Sequence, residues 1–234
     1  MCAVIGAYIE KPSPDDFATL VRVFLESGIR GLHATGISFL PEWSDNIQTI
    51  IESKPADYFT KVHLHKDNLK DLVNKDGNLY LIGHCRYSTS DLEYNQPLYN
   101  DNFSIVHNGV VSQEMPENWE KLYGYKCTTR NDSELILHTL EANKSPLVEF
   151  ANSSMAVVEL HKEKKIRFYR NGKRPIYFTS LPNGVIITST KDIALRAGLK
   201  DPQEVEMNQY ITVGKDLLQK ENINIEGAKD LQHV

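Results

Sequence analysis

The chain opens with Met1-Cys2-Ala3-Val4-Ile5-Gly6, and the interpretation of the whole sequence turns on Cys2. An initiator methionine is usually removed when a small residue follows it, and its removal would make Cys2 the N-terminal residue. An N-terminal cysteine carries a thiol and a free α-amine on one carbon, and such an amine has an ordinary pKa of about 7.7–8.0. The amine can then serve as a base for the thiol, whose thiolate is a strong nucleophile. The alternative is that Cys2 only begins a buried strand, because unpaired cysteines are among the most buried residues.

The composition is that of an ordinary globular protein. The 234 residues carry a formal net charge of −5 without a long basic run, so a nucleic-acid partner is not expected. No apolar stretch approaches the roughly 20 residues that span a bilayer, so no membrane association is expected. The cysteines Cys2, Cys85 and Cys127 are an odd number without C-x-x-C spacing, so disulfides are not predicted. The histidines lack the spacing of metal ligands, so no metal and no other cofactor is predicted. We expect a reducing, cytoplasmic location.

Hydrophobic periodicity predicts one domain, over residues 2–215, and a polar C-terminal tail, over 216–234. Ser13 and Pro14 begin a helix, as N-cap and first helical residue. Residues 41–55 form a polar connection. Strands are predicted over 2–10, 79–83, 103–111, 154–161, 166–170, 176–180, 184–189 and 210–213.

Five separated segments place nucleophilic or polar side chains next to glycines. They are Cys2-Ala3-Val4-Ile5-Gly6, Arg30-Gly31 with Gly36-Ile37, Gly83-His84-Cys85-Arg86-Tyr87-Ser88-Thr89, His107-Asn108-Gly109 and Asn131-Asp132-Ser133-Glu134. In this order they resemble the glutaminase domain of class II glutamine amidotransferases, which occurs in the enzymes that make glucosamine 6-phosphate and that open purine synthesis. The piece Asn95-Gln96-Pro97 is most similar to the purine enzyme. Each motif is common by itself, whereas five in this order are specific.

The resemblance implies an α+β fold, the N-terminal nucleophile hydrolase fold, in which two antiparallel sheets pack between two helical layers as a four-layer αββα sandwich. It also implies a glutaminase reaction without a cofactor. The Cys2 thiolate would attack the side-chain amide of glutamine, and the resulting thioester would be hydrolysed to glutamate after ammonia has left. Nothing like a synthase follows the glutaminase-like region, so a separate synthase protein is the expected acceptor of the ammonia.

The resemblance also assigns the catalytic groups beside Cys2. The side-chain amide of Asn108 and the backbone N–H of Gly109 would stabilise the oxyanion of the tetrahedral intermediate. The alternative is that Asn108-Gly109 forms a type I′ hairpin turn, which favours this dipeptide.

Two charged residues match the two charges of free glutamine. Arg86 suits the α-carboxylate, because a guanidinium binds a carboxylate with two parallel hydrogen bonds, and Asp132 suits the α-ammonium. The alternatives are a surface arginine and an N-cap for the helix that follows Asp132. Further contacts with the substrate or the nucleophile are expected from Tyr87, Thr89, Ser90 and Arg30.

Two other functions remain open from the sequence. One is a catalytically idle glutaminase-like scaffold or glutamine sensor, although every expected catalytic group is present. The other is an N-terminal nucleophile amidase acting on other amides, against which Arg86 and Asp132 together argue.

Overall fold

The structure, a computed structural model, describes residues 1–87 and 92–225. In these residues the strands form a seven-stranded and a six-stranded sheet, and neighbouring strands pair antiparallel. The first sheet has the strands β1 (Ala3–Ile9), β2 (Ala34–Phe39), β3 (Gln48–Glu52), β4 (Leu79–Arg86), β9 (Tyr177–Leu181), β10 (Gly184–Thr188) and β11 (Gln203–Glu204). The second has β5 (Leu98–Tyr99), β6 (Phe103–Val110), β7 (Ser154–His161), β8 (Lys165–Asn171), β12 (Gln209–Gly214) and β13 (Leu217–Asn222).

The order of strands is β11-β9-β10-β1-β4-β2-β3 in the first sheet and β13-β12-β8-β7-β6-β5 in the second. The α-helices are α1 (Pro14–Gly28), α2 (Ala56–His63), α3 (Leu69–Leu72), α4 (Trp119–Tyr123), α5 (Ser133–Glu141), α6 (Pro146–Glu149) and α7 (Lys191–Arg196). No helix in the described parts of the chain is long and apolar enough to span a membrane.

The start of α1 is fixed locally, as the sequence predicted. The side chain of Ser13 accepts a hydrogen bond from the Asp16 N–H, and the Asp16 carboxylate accepts one from the Ser13 N–H. This reciprocal capping satisfies two N–H groups that the first helical turn leaves unpaired.

Three apolar clusters define four layers. One joins α1 and α2 to the outer face of the first sheet, a second lies between the sheets, and a third joins α5 to the outer face of the second sheet. Alternate residues of β1 enter different clusters, Ile5 with α1 and Val4 with the second sheet. Both faces of β1 are therefore buried, which explains its weak alternation in the sequence. The predicted αββα sandwich of two antiparallel sheets is confirmed.

Part of the predicted polar tail is a strand. Residues 217–222 form β13, which pairs with β12 along its whole length at the edge of the second sheet. Its side chains are mostly exposed. A polar segment can form this edge strand because backbone hydrogen bonds to β12 hold it without apolar side chains. Residues 226–234 lie outside the described residues, and the predicted extent of the domain, 2–215, stays a prediction.

A buried ion cluster joins β7 to β8. Glu159 is fully buried, and its carboxylate accepts hydrogen bonds from Arg167 Nε at 2.7 Å, Arg167 Nη2 at 3.0 Å and His161 Nε2 at 2.7 Å. Burial by itself raises the pKa of Glu159, but the charge of Arg167 and the bond from His161 outweigh it and lower the pKa to about 2. The ionised carboxylate therefore depends on these two partners.

Replacing Arg167→Met should strongly destabilise the fold near neutral pH, because it leaves a buried carboxylate without its cation. We expect the free energy of unfolding to fall by about 3–5 kcal/mol. In the wild type the ionised Glu159 stabilises the fold above its ordinary pKa of 4.5, and this contribution is lost as the pH falls towards about 2. In the variant the carboxylate protonates more easily. The loss of unfolding free energy should therefore be smaller at about pH 4 than near neutral pH when urea unfolding is measured at both.

A matched control is Lys165→Met on the same strand, because Lys165 is partly exposed and its partner Glu163 is exposed. It should cost less than about 1 kcal/mol. An Arg167→Met deficit that is equally large at both pH values would contradict the role given to Glu159.

Candidate active site

The register of β1 on β4 places Cys2 beside Arg86. Ala3 pairs with Cys85, so the next position along the antiparallel ladder sets Cys2 at the level of Arg86, the last residue of β4. Cys2 precedes β1 and is partly exposed. Two residues that are far apart in sequence are thus brought to one end of the first sheet.

Arg30 also lies near Cys2, through a close approach of two backbones. A Cβ atom on Gly31 would overlap the carbonyl group of Cys85, so only glycine lets the segment after α1 lie against the end of β4. Burial lowers the pKa of Arg30, the Cys2 thiol opposes that effect, and Arg174 adds to it. Arg30 and Arg174 therefore put two cations at the Cys2 end of the sheet.

Arg86 is held in place by its neighbours and is only 5% exposed. Its Nη1 donates to Asn95 Oδ1 at 2.7 Å, and its guanidinium lies over the ring of Tyr94, 5.3 Å from the centroid. The alternative of a surface arginine is therefore wrong. A cation that is buried and oriented in this way can recognise a carboxylate with little loss of side-chain entropy.

Asn108 and Gly109 lie inside β6, paired with Ala156 and Met155 of β7, so the alternative of a hairpin turn at this dipeptide is wrong. Gly109 has a φ of +139°, and a Cβ there would overlap the carbonyl oxygen of Ser154. The unusual backbone therefore requires glycine. Asn108 is buried, with 6% of its surface exposed.

Asp132 connects α5 to the end of β6. Its Oδ2 accepts hydrogen bonds from the N–H groups of Val111, at 2.6 Å, and Ser112, at 3.2 Å. Its side chain makes no capping bond to α5, although Asp132 occupies the N-cap position. The Ser133 N–H is bound by Asn131 Oδ1 instead. The Asp132 carboxylate therefore binds the backbone two and three residues after Gly109 and does not cap its own helix.

Buried polar groups join the segment before β5 to β6 and to the start of α5. The side chain of Gln96 clamps the backbone of His107: Oε1 accepts from its N–H at 2.6 Å, and Nε2 donates to its carbonyl at 3.2 Å. His107 Nδ1 lies 2.8 Å from Ser133 Oγ. In the sequence Gln96 and His107 stand out only as members of motifs, since neither carries an obvious chemical role.

The two buried histidines of this region are neutral. Burial first, then His107 and Arg86, lower the pKa of His84 to about 3. Burial also lowers the pKa of His107, while Asp132 opposes the shift and Arg174 adds to it. Arg86 is thus close enough to His84, and Asp132 and Arg174 are close enough to His107, to act on the charge of these rings.

The remaining predicted residues have different outcomes. Tyr87 is 55% exposed, and its ring lies 5.2 Å from that of His33, between centroids. Thr89 and Ser90 fall outside the described residues. Arg174 was missed by the sequence reasoning, because the stretch Arg174-Pro175-Ile176-Tyr177 carries no sign of a chemical role by itself.

A family model described as a glutamine amidotransferase domain matches residues 68–231. A comparison with curated proteins found no match. Among solved structures, glutamine phosphoribosylpyrophosphate (PRPP) amidotransferase from B. subtilis, complexed with ADP and GMP, is 17% identical with a TM-score of 0.70. A structure described as the allosteric regulatory enzyme of purine biosynthesis is 18% identical with a TM-score of 0.71. In both cases the match covers 96% of this chain and 50% of the other, so this chain spans half the length of those proteins.

A third solved structure is of similar length to this chain. It is a glutamine aminotransferase class-II domain protein from Silicibacter pomeroyi, 12% identical with a TM-score of 0.57, and the match covers 94% of this chain and 99% of that one. At such identities the structural likeness establishes the fold. The family model covers well over half of the sequence. The chain therefore belongs to the glutamine amidotransferase domain family, a family of enzymes, and has the N-terminal nucleophile fold of its class II members.

Proposed function

We propose that this chain hydrolyses the side-chain amide of glutamine through a thioester on Cys2 and supplies the ammonia to a synthase. The observation that supports this most is the position of Cys2, Arg86 and Asp132 around one end of the sandwich. Cys2 lies directly before β1, Arg86 ends β4, and Asp132 is the N-cap of α5. The family match begins at residue 68 and does not include Cys2, so the nucleophile rests on the geometry and on the N-terminal motif.

The proposed reaction begins with removal of Met1. Met1 is 65% exposed and precedes β1, so its loss would break no strand pairing. Its sulfur accepts a hydrogen bond from Arg30 Nη2, which removal would free at the Cys2 end of the sheet. The α-amine of Cys2 would then take the thiol proton, and the positive charge of Arg30 would favour the thiolate.

The thiolate would attack the amide carbon of glutamine and form a tetrahedral intermediate. Asn108 and the Gly109 N–H would stabilise its oxyanion, and the buried position of Asn108 strengthens such a bond by excluding water. The carbon–nitrogen bond then breaks, and ammonia leaves with the proton returned by the α-amine. Water hydrolyses the thioester to glutamate and restores the thiol.

The two ends of the amino acid would be held by opposite charges. Arg86 would bind the α-carboxylate, and Asp132 would bind the α-ammonium through Oδ1, because its Oδ2 already accepts two backbone bonds. Tyr87, Thr89 and Ser90 are proposed as further contacts from the segment after β4.

The acceptor of the ammonia is proposed to be a synthase on a separate protein, in the cytoplasm. The name of the family implies transfer of the amide nitrogen, and one similar structure is an amidotransferase for PRPP. If the purified chain hydrolyses glutamine at its full rate and no synthase binds it, the separate partner is contradicted.

The nucleophile can be tested with a glutamine-like diazo-ketone. We expect it to add one mass increment to Cys2 in protein that has lost Met1, because the free amine activates only an N-terminal thiol. Excess glutamine should block the labelling, Cys2→Ala should abolish it, and the half-buried Cys127 serves as an internal control thiol that stays unlabelled. Absence of labelling on a correctly processed N-terminus would favour the idle scaffold or sensor.

Replacing Asn108→Ala should lower kcat for glutamine by about 10²–10³-fold with little change in KM, because one oxyanion donor is lost only in the transition state. The measurement is steady-state release of glutamate. The matched control is Asn102→Ala, an exposed residue directly before β6, which should retain the wild-type kcat. A change in KM alone would place Asn108 in substrate binding instead.

Replacing Arg86→Lys should mainly raise KM for glutamine. The lysine keeps the charge but loses the paired hydrogen bonds, which are worth about 1.5–3 kcal/mol, and this corresponds to about a 10- to 150-fold rise in KM. Arg196→Lys on α7, where the arginine is exposed and paired with Asp192, should leave KM unchanged. If Arg86→Lys lowers kcat without altering KM, the assignment to the α-carboxylate is wrong.

A further inference from the structure

A cysteine, a glutamate and a histidine meet beside the segment that carries Asp132. Glu134 and His138 lie one turn apart on α5, and Cys127 lies on the segment between α4 and α5. The Cys127 sulfur, a carboxylate oxygen of Glu134 and a ring nitrogen of His138 all lie within 4.8 Å of one another. Residues four apart on a helix share one face, so the helix itself brings two of these groups together.

The spacing of the two helical ligands fits one tetrahedral metal ion. His138 Nε2 lies 3.3 Å from Glu134 Oε1. Zinc bonds of about 2.0–2.2 Å to nitrogen and oxygen at a tetrahedral angle separate the two ligand atoms by about 3.3–3.6 Å. The thiol of Cys127 supplies the third, softer ligand that zinc-type ions favour.

The histidine has the outer partners of a metal ligand. Its Nδ1 lies 3.0 Å from a carboxylate oxygen of Glu141, and because a carboxylate only accepts hydrogen bonds, Nδ1 must be the donor. Nε2 also faces a carboxylate oxygen, that of Glu134, but at the longer distance of 3.3 Å. A neutral ring therefore keeps its proton on Nδ1, and the lone pair of Nε2 faces Glu134. The ring of Tyr125 stacks on the imidazole, with 5.8 Å between centroids and an angle of 16° between planes, and this contact fixes its orientation. A carboxylate on the far nitrogen is the usual outer support of a zinc-bound histidine.

Glu134 is equally well positioned. Its oxygens accept bonds from the N–H and hydroxyl groups of both Thr128 and Thr129, at 2.6–3.0 Å. The Thr128 hydroxyl makes the longest of these bonds, at 3.0 Å, and Thr128 is exposed. A metal ion on Oε1 would displace only that hydroxyl, which can turn to water.

We propose that Cys127, Glu134 and His138 bind one divalent ion of the zinc type, with water as the fourth ligand. On binding, the Cys127 thiol releases its proton to solvent and the sulfur becomes a thiolate ligand. The ion would tie the segment 124–132 to α5 and so fix Asp132, whose backbone lies between the ligands. The competing arrangement is metal-free: a doubly protonated His138 between Glu134 and Glu141, with Cys127 only packed beside them.

The test uses Co²⁺ as a spectroscopic stand-in for zinc in the full chain with Cys2→Ala, so that the N-terminal thiol cannot bind metal. We expect one Co²⁺ per chain, a thiolate-to-cobalt charge-transfer band and the intense visible bands of tetrahedral cobalt. Zinc should displace the cobalt and raise the Tm. Cys127→Ser should abolish the charge-transfer band, and His138→Gln should weaken binding of both ions.

Two further variants separate a metal site from the ion pair. Glu141→Gln should weaken Co²⁺ binding by about 10- to 100-fold, because it removes the outer support of His138. Cys85→Ala, the control for the other remaining thiol, should leave the cobalt spectrum unchanged. No stoichiometric binding, or binding with the same spectrum in Cys127→Ser and His138→Gln, would overturn the proposal in favour of the ion pair, whatever the outcome for glutamine hydrolysis.

Discussion

The pairing of β1 with β4 is the constraint on which the site depends. The register that sets Ala3 against Cys85 also sets Cys2 at the level of Arg86. Because the side-chain direction alternates along a strand, a slip of one residue would send these groups to opposite faces. The same stretch of β4 accepts the backbone of Gly31, which no larger residue could replace. The end of β4 therefore positions Cys2, the proposed nucleophile, and Arg86, the proposed ligand of the carboxylate. It also positions the segment that carries Arg30.

The second sheet supplies its groups through buried hydrogen bonds rather than through apolar packing alone. Gln96 holds the backbone of His107, His107 contacts Ser133, and Asp132 holds the N–H groups that follow β6. Burial keeps both His84 and His107 neutral, so neither imidazole carries a positive charge that would compete with Arg86. Such a network specifies one arrangement, because a broken member would leave a buried polar group unpaired.

Two clusters of charged groups serve different purposes in this molecule. Glu159 and Arg167 lie on the outer face of the second sheet, and their pairing stabilises the fold without touching the site. Glu134 and His138, by contrast, lie next to the start of α5, where a change in position would move Asp132. The sequence predicted no metal because the spacing of Cys127 from this pair matches no common motif. Only the packing of the preceding segment against α5 brings the sulfur to them.

The sequence by itself determined the family, the buried first strand and the start of α1, since each depends on neighbouring residues or on the order of short motifs. Tertiary structure alone decided the outcomes that local patterns left open. Asn108-Gly109 suits a hairpin turn but lies within β6 because β7 pairs beside it, and Asp132 suits a helix cap but binds the end of β6 instead. The polar connection at 41–55 contains β3 for the same reason, because β2 offers it a partner. These choices rest on contacts between residues that are distant in the chain, and no local preference can select among them.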